Sequence, residues 1–470
     1  MIILPGLEKV EKLPGKFFGR WPFSPRALME TIKVACVGFG TIGSGVVKLL
    51  LENEDRIAQH AGCRLELAAV VDTDLTRTRN VEVPPELLTD DIERVIGDPE
   101  IRVVTELVGG IEPARSIVLQ LLESGKDVVT ANKALLAEHG PELFHRARQL
   151  GRSIAFEASV AGGIPIIAAI GQSMTANQIL SLRGILNGTS NFIVSKMEES
   201  GADYGEAVCE AQLHGYAEAN PAMDVDGTDA AQKLAILAQL AFGAHAAWQQ
   251  IPRMGIDRLY RADIRFAGEL GYRIKLLAVA RLTDEGLELH VSPTLVRIGS
   301  PLAEVREAFN AISVLGDAVG PVFLHGLGAG QLPTASAVVA DMIDTVVGRT
   351  RITFERLAMW SQPESRIAMC DFARVSARYY LRFGVEDRPG VLAQIAGVLG
   401  EHQISIASVI QHESADSEEG GIVWLVIMTH TALEGAADEA LRQIDQLDFV
   451  RGPSIRLPVL DEETSVPTVG

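Results

Sequence analysis

The sequence predicts an α/β protein built in three parts, and three observations carry that prediction. Between Ile32 and Ala137 four apolar, β-branched runs alternate with stretches of helical periodicity, the rhythm of a doubly wound parallel sheet. From Ser153 to about Gly348 that alternation gives way to a mixed α+β pattern. From Tyr379 the order strand, "DRPG" turn, helix, strand, strand, helix is that of a small ferredoxin-like unit. A length of 470 residues suits three domains at ~150 residues each.

Composition narrows the function classes. The chain is 47% hydrophobic, which supplies core material and argues against disorder. Its net charge of -19 argues against a nucleic-acid partner or an anionic membrane surface, both of which need a basic patch. Cys36, Cys63, Cys209 and Cys370 are far apart, with no C-x-x-C pair. A disulfide framework or structural zinc site is not expected, and a reducing cytoplasm fits. The N-terminal thirty residues lack a continuous apolar core, so no signal peptide is expected. No apolar run reaches the ~18 residues of a spanning helix. Residues 1–28 read as a loosely ordered extension, with Met29 as the natural start.

The elements follow in order. "IKVACVGFGTIGSGVVKLLLE" from Ile32 reads as strand, tight turn and helix. "LELAAVVDTD" (65–74), "RVVTELVGG" (102–110) and "DVVTANKALLA" (127–137) supply three more strands with helices between, so residues 29–152 form the dinucleotide-binding domain. Residues 153–324 read as a mixed α+β domain, with strands at "YRIKLLAVARL" (272–282) and "LELHVSPTLV" (287–296). The small-residue helix within 325–349 is expected to pack back onto the first domain. Residues 350–377 read as a linker, 378–458 as the small ferredoxin-like domain and 459–470 as a frayed tail.

"GFGTIG" places Gly38, Gly40 and Gly43 in G-x-G-x-x-G spacing between a strand and a helix. In a Rossmann-type unit the first glycine makes the tight turn and the second admits a pyrophosphate. The third lets helix and strand approach, and the helix N-terminus supplies positive potential. Asp72, ending the second strand, can accept from a ribose 2′-OH and speaks for NAD; Arg77 and Arg79 can instead hold the 2′-phosphate of NADP. Lys133 lies just past the fourth strand, at the edge where such sheets bind ligands, although a surface lysine opening a helix reads the same way. Glu157 precedes a Gly-rich backbone that can offer carbonyls to a hard cation; alone, it reads as a capping acid.

"YAEANPAMDVDGTDAAQK" (216–233) crowds charge at the mouth of the apolar run "LAILAQLAFG". Thr228 is a helix N-cap candidate. Asp229 and Lys233 are i and i+4 and share one helix face. An ordinary surface pair is one reading. The following helix has almost no polar face, which favours a cleft wall, where burial and a neighbouring carboxylate tune a lysine for acid–base work.

In this order "GFGTIGSGVV", "TANKALLA", "EASVAGGIPI", "LNGTSNFI", "GYAEANPAMDVDGTDAAQKLAIL" and "GAGQLPTASAVVAD" resemble homoserine dehydrogenase over residues 31 to about 350. The tail "VEDRPGVLAQIAGVLGEHQISIASV" resembles an ACT domain. The resemblance implies an NAD(P)-dependent reduction of L-aspartate-4-semialdehyde to L-homoserine. It makes Lys233 the proton donor, with Asp229 beside it and Lys133 in the active site. Glu218, with Gly215 and Asp224, would bind the substrate. Thr41, Ile42, Thr105, Lys133 and Gly330 would line the cofactor, and Glu157 with the carbonyls of Val160, Gly162 and Ile164 would hold a sodium ion. The resemblance also implies a homodimer or homotetramer joined through the middle sheet. Its tail would bind an amino-acid effector, most naturally threonine, at Asp387 and Gly390. Asn220, Met223 and Thr73 depart from the family pattern, and Thr73 leaves the cofactor preference open. Another amino-acid dehydrogenase would not need the series from "NGTSNF" to "DGTDAAQK", and a non-catalytic sensor would not need Lys133, Glu218, Asp229 and Lys233 together.

Overall fold

A computed structural model describes residues 29–356, 367–412 and 422–460; the expected N-terminal extension and residues 461–470 lie outside them. Six parallel strands form the first sheet: β1 (Thr31–Val37), β2 (Arg64–Val71), β3 (Leu88–Thr89), β4 (Ile101–Glu106), β5 (Asp127–Thr130) and β6 (Ile154–Ala155). Their spatial order is β3-β2-β1-β4-β5-β6, with the chain reversing direction across the sheet between β1 and β4. The carboxyl ends of β1 and β4 flank that switch point, where doubly wound sheets hold ligands.

The middle domain contributes β7 (Ile179–Ile185), β8 (Tyr272–Thr283), β9 (Gly286–Arg297), β10 (Phe309–Gly316) and β11 (Gly320–Leu327). The β10–β11 hairpin is absent from the sequence reading. β11 is exposed on alternate residues, so its text carries too little apolar periodicity to declare a strand. Thr228–Phe242 is the central helix of this domain, and all fifteen of its residues are buried. Its N-cap is Gly227 in the left-handed region (φ 84°), not Thr228. Asp226 Oδ1 supplies the capping acceptor, taking Thr228 N at 2.8 Å. Glycine, with no β-carbon, adopts that left-handed conformation without the strain a larger residue would meet.

The helix Gln331–Val346 lies on the helix Thr41–Glu52. A β-carbon on Gly45 would stand 3.0 Å from Ala335 Cβ, so the glycine sets how closely the two helices approach. The stretch read as a linker holds a further helix, Arg349–Arg356. It also has a parallel attachment to β9, where Leu287 N donates to Ala368 O and Cys370 N to Leu287 O, both at 2.9 Å. Its residues 357–366 lie outside the described ones.

The tail consists of β12 (Ser376–Glu386), β13 (Ile406–Gln411), β14 (Ile422–Thr429), β15 (Ala432–Leu433) and β16 (Ile455–Val459), with helices Val391–Glu401 and Glu434–Ile444. Beyond the βαββα order read from sequence, β16 closes the unit against β12. Val459, assigned to a frayed tail, is paired on both sides: β16 also meets β9, and Leu460 N donates to Leu295 O at 2.9 Å. One continuous sheet thereby runs from β11 through β9 and β16 to β13.

Candidate active site

The site gathers where the ends of β5 and β7 meet the buried helix. Lys133 opens the helix Lys133–Gln149, whose N-cap Asn132 accepts from Leu135 N. Asn187, directly after Leu186, caps the helix Gly188–Ser200 by accepting from Ser190 N. Asp229 and Lys233 occupy the first two turns of Thr228–Phe242. These three helix starts converge on one carboxylate.

Asp229 Oδ1 pairs with the Lys133 ammonium. Asp229 Oδ2 accepts from Lys233 Nζ at 2.7 Å and from Asn187 Nδ2 at 2.9 Å. Lys233 Nζ donates also to the Leu186 carbonyl at 2.7 Å, so two of its three protons are committed and one remains. Asn187 Nδ2 reaches Asp224 Oδ1 at 2.8 Å, and Ser190 Oγ holds the Asp224 carbonyl at 2.7 Å. Glu218 and Gly215 are exposed on the rim of this cluster, Gly215 with φ 73°. The Asn187 amide thus joins both aspartates, a connection no spacing rule reveals.

The charges split the two lysines. The Lys233 side chain is 10% exposed and that of Lys133 37%. Burial, reinforced by the Lys133 charge, lowers the Lys233 pKa, and Asp229 recovers only part of the loss. Burial also acts downward on Lys133, but Asp229 and then Asp224 and Glu218 outweigh it and raise its pKa. Asp229 is itself opposed by burial, yet the Lys233 and Lys133 ammoniums hold its carboxyl far below the usual range. Asp224 moves the other way, raised by burial and by its neighbour Asp229.

The glycine loop has the shape of a phosphate cradle. Gly38 (φ 97°) would drive a β-carbon to 2.4 Å from the Leu107 carbonyl carbon, so no larger residue fits the turn. Gly40 has nothing within 4 Å of its β-carbon direction and stands as N-cap of Thr41–Glu52 without a side-chain cap. That open, amide-lined position fits a dinucleotide pyrophosphate. Gly330 (φ 109°) begins the facing helix, and Gln331 Nε2 reaches back to Thr41 O at 3.0 Å.

Asp72 and Arg79, expected at the cofactor's ribose, also make contacts within the loop itself. Asp72 is already engaged: Oδ2 accepts from Phe39 N at 2.6 Å and faces Arg79 at 3.5 Å, and Oδ1 accepts from Asp74 N. Arg79 is held by the carbonyls of Phe39, Arg77 and Asp74 and stacks on Phe39, so it braces the loop; Arg77 is the exposed cation there. Thr105 is wholly buried in the sheet beside Cys36. Its neighbour Glu106, unmarked in the sequence reading, instead shapes the loop by accepting from Val108 N, Gly109 N and Thr130 Oγ1.

Glu157 takes the capping alternative. Its oxygens accept from Ile167 N and Ala168 N, both at 2.8 Å, and burial pushes its carboxyl up to about 7. The Ile164 carbonyl already receives Ile166 N at 2.8 Å. Val160 and Gly162 lie in the same loop.

Family comparisons agree with the geometry. The model described as "Homoserine dehydrogenase" matches residues 165–343, and that described as "Homoserine dehydrogenase, NAD binding domain" matches 38–157. A homoserine dehydrogenase of Pseudomonas aeruginosa is 44% identical over 439 residues, covering 92% of this chain and 99% of the relative. The chain belongs to the homoserine dehydrogenase family. An "ACT domain" model matches 379–449, so this homoserine dehydrogenase carries an ACT tail. A Bacillus subtilis relative is 37% identical across 90% of the chain and 97% of its own length. A crystal structure of a homoserine dehydrogenase from Thiobacillus denitrificans superposes with a TM-score of 0.85 at 42% identity, covering 92% of this chain and 99% of that one. The protein is thus an NAD(P)-dependent oxidoreductase acting on a CH–OH group. Among the described residues no helix is long and apolar enough to cross a membrane.

Proposed function

We propose that this enzyme interconverts L-aspartate-4-semialdehyde and L-homoserine with Lys233 as the proton-transfer residue, in the cytoplasm and within threonine and methionine biosynthesis. The observation that carries the reading is the uncommitted third proton of a buried lysine whose other two are fixed by Asp229 and Leu186. The bound nicotinamide supplies the hydride for reduction and accepts it in oxidation. In reduction Lys233 stabilises the developing oxyanion and delivers its proton. In oxidation the lowered pKa provides a neutral amine that takes the hydroxyl proton. Lys133, held charged, contributes fixed positive potential beside it. Glu218 and Asp224 supply carboxylates for the substrate ammonium, and the apolar length of Thr228–Phe242 keeps water from the exchange.

The same reading has the glycine loop bind NADP or NAD and a small effector amino acid act at the exposed turn from Asp387 to Gly390. A homodimer through the middle sheet is supported by β11, an edge strand that leaves Phe323 38% and Leu327 47% exposed. The decisive assay is homoserine-dependent reduction of NADP and of NAD by the purified chain, with and without threonine. Turnover with at least one cofactor is expected; none with either defeats the assignment.

A further inference from the structure

A third lysine is buried in the middle domain and takes no part in the chemistry above. Lys275, on β8, is 1% exposed. Its ammonium donates to two neutral acceptors, Asn191 Oδ1 at 3.0 Å and the Val305 carbonyl. The carboxylates that act on it through space are held elsewhere: Glu198 by Arg273 and Arg306, Glu304 by Arg273. Burial lowers the Lys275 pKa to about 8, with Glu198 and Glu304 opposing and Arg306 and Arg273 adding to the fall. A buried ammonium satisfied by neutral acceptors is costly to keep. What it holds in place leads to the active site.

Asn191 lies in the first turn of the helix Gly188–Ser200. With Oδ1 taken by Lys275, its Nδ2 shares two protons among three carbonyls: Val305 at 3.2 Å, Glu307 at 2.9 Å and Phe309 at 3.2 Å. Glu307 stands in the left-handed region (φ 54°), where a side chain is strained, so the 305–309 loop needs to be held in its shape. That loop backs onto the helix start. A β-carbon on Gly188 would lie 2.6 Å from the Ala308 carbonyl oxygen. The same helix start carries the contacts to the site. Asn187 Nδ2 bridges Asp224 and Asp229, and Ser190 Oγ donates to the Asp224 carbonyl. Thr189 Oγ1 donates to the Tyr216 carbonyl at 2.6 Å, two residues before Glu218.

We propose that Lys275 is a positioning residue for the reaction: it fixes Asn191 and the 305–309 loop, these seat the first turn of Gly188–Ser200, and that turn holds Asn187 on Asp224 and Asp229. The inference rests on the reading of Asp229 and Lys233 as the proton-transfer pair. Without the clamp Asn187 withdraws from Asp229, whose charge then falls more fully on Lys233 and raises its pKa. Oxidation requires a neutral Lys233, so rate is gained as pH rises through that pKa, and the acid limb of the profile moves to higher pH. A lysine that served the fold alone would change the melting temperature and leave the limb where it is.

The test is homoserine oxidation by the whole protein in four forms: wild type, Lys275→Met, Asn187→Ala and the double variant. Rates are taken per folded molecule, counted by fluorescence titration with the cofactor. Lys275→Met should lower kcat/KM for homoserine at least ~10-fold, keep the cofactor KM within about 2-fold and move the acid limb to higher pH. Asn187→Ala should show the same signature. Adding Lys275→Met to it should cost less than about 2-fold more, because both changes act on one contact. If Lys275→Met does not fold, Asn191→Ala, which removes the amide that the lysine fixes, takes its place under the same criteria. An unchanged kcat/KM with an unmoved limb, or losses that multiply in the double variant, overturns the positioning role and leaves Lys233 as the proton-transfer residue. If wild type oxidises no homoserine with either cofactor, the function reading falls and the role of Lys275 with it.

Discussion

Two buried aspartates in this molecule sit in ion-pair clusters of opposite character. Asp229 stands between Lys133 and Lys233 at the ends of the parallel strands. Asp263, in the helix Arg261–Glu269, lies under the ACT tail and takes Arg382 Nε at 2.6 Å and Tyr380 Oη at 3.0 Å on one oxygen. Its other oxygen takes Tyr260 N at 2.8 Å. The Arg382 guanidinium is sandwiched by Tyr260 and Trp424, at 4.6 and 4.4 Å from the ring centres. Burial wins at Asp263, whose pKa is raised despite Arg382, whereas two ammoniums win at Asp229. The Asp263 cluster fastens tail to body, and Arg382 Nη1 in it is buried without a hydrogen bond. The Asp229 cluster keeps a spare lysine proton and a rim open to solvent. A buried charge alone therefore does not mark a site; two lysines of opposite pKa direction sharing one carboxylate at the strand ends make the stronger candidate.

The contrast can be broken from either side. The largest effect is expected from Lys233→Ala, which should lower kcat ~10³-fold or more while cofactor affinity, read by fluorescence titration, stays near wild type. Near-normal turnover would remove Lys233 from proton transfer. Next, Asp229→Asn should lower kcat ~10²-fold and move the pH profile. In reduction Lys233 must be protonated, so rate is lost as pH rises through its pKa. Removing the Asp229 charge lowers that pKa further, and the alkaline limb should shift to lower pH.

The Asp263 cluster should respond in stability instead. Arg382→Met leaves Asp263 buried without its cation and should cost ~3–5 kcal/mol in urea unfolding, with kcat per folded molecule retained. Pairing it with Asp263→Leu should recover most of that loss, since an apolar pair carries no desolvation penalty. The same double replacement strategy at Asp229 and Lys233 should never restore turnover. The smallest effect is at the β11 edge: Leu327→Glu should shift the protein toward monomer in size-exclusion chromatography with little change in the melting temperature of the protomer.

Much of the site was legible because it was written in local spacing. The glycine loop announces itself by a strand before it and a helix after it. The Asp229–Lys233 pair was visible as i,i+4 on a helix too apolar for a surface, and all fifteen residues of that helix are buried. Asn187, Glu106 and Gln331 were not legible as connectors, because each acts on residues at least 24 positions away along the chain. The strand β16 was hidden for a reason other than the weak periodicity of β11. β16 is five residues with a proline and gains its identity from β12 and β9, which are far from it in sequence. Glu157 reads alone as a cap, and the Ile167 and Ala168 amides do fall on its oxygens, a placement that no local spacing records.

The sequence by itself determined the layered α/β class, the dinucleotide loop and the Asp229–Lys233 pair on one helix face, because each depends on periodicity or spacing within one or two turns of backbone. Only the tertiary structure decided which lysine is poised and which is fixed, since their pKa directions depend on burial and on one shared carboxylate. It alone fused the ACT tail to the catalytic sheet through β16 and enclosed a cavity between them. Such features are set by which distant surfaces exclude water from each other, and no local stretch of the chain records that.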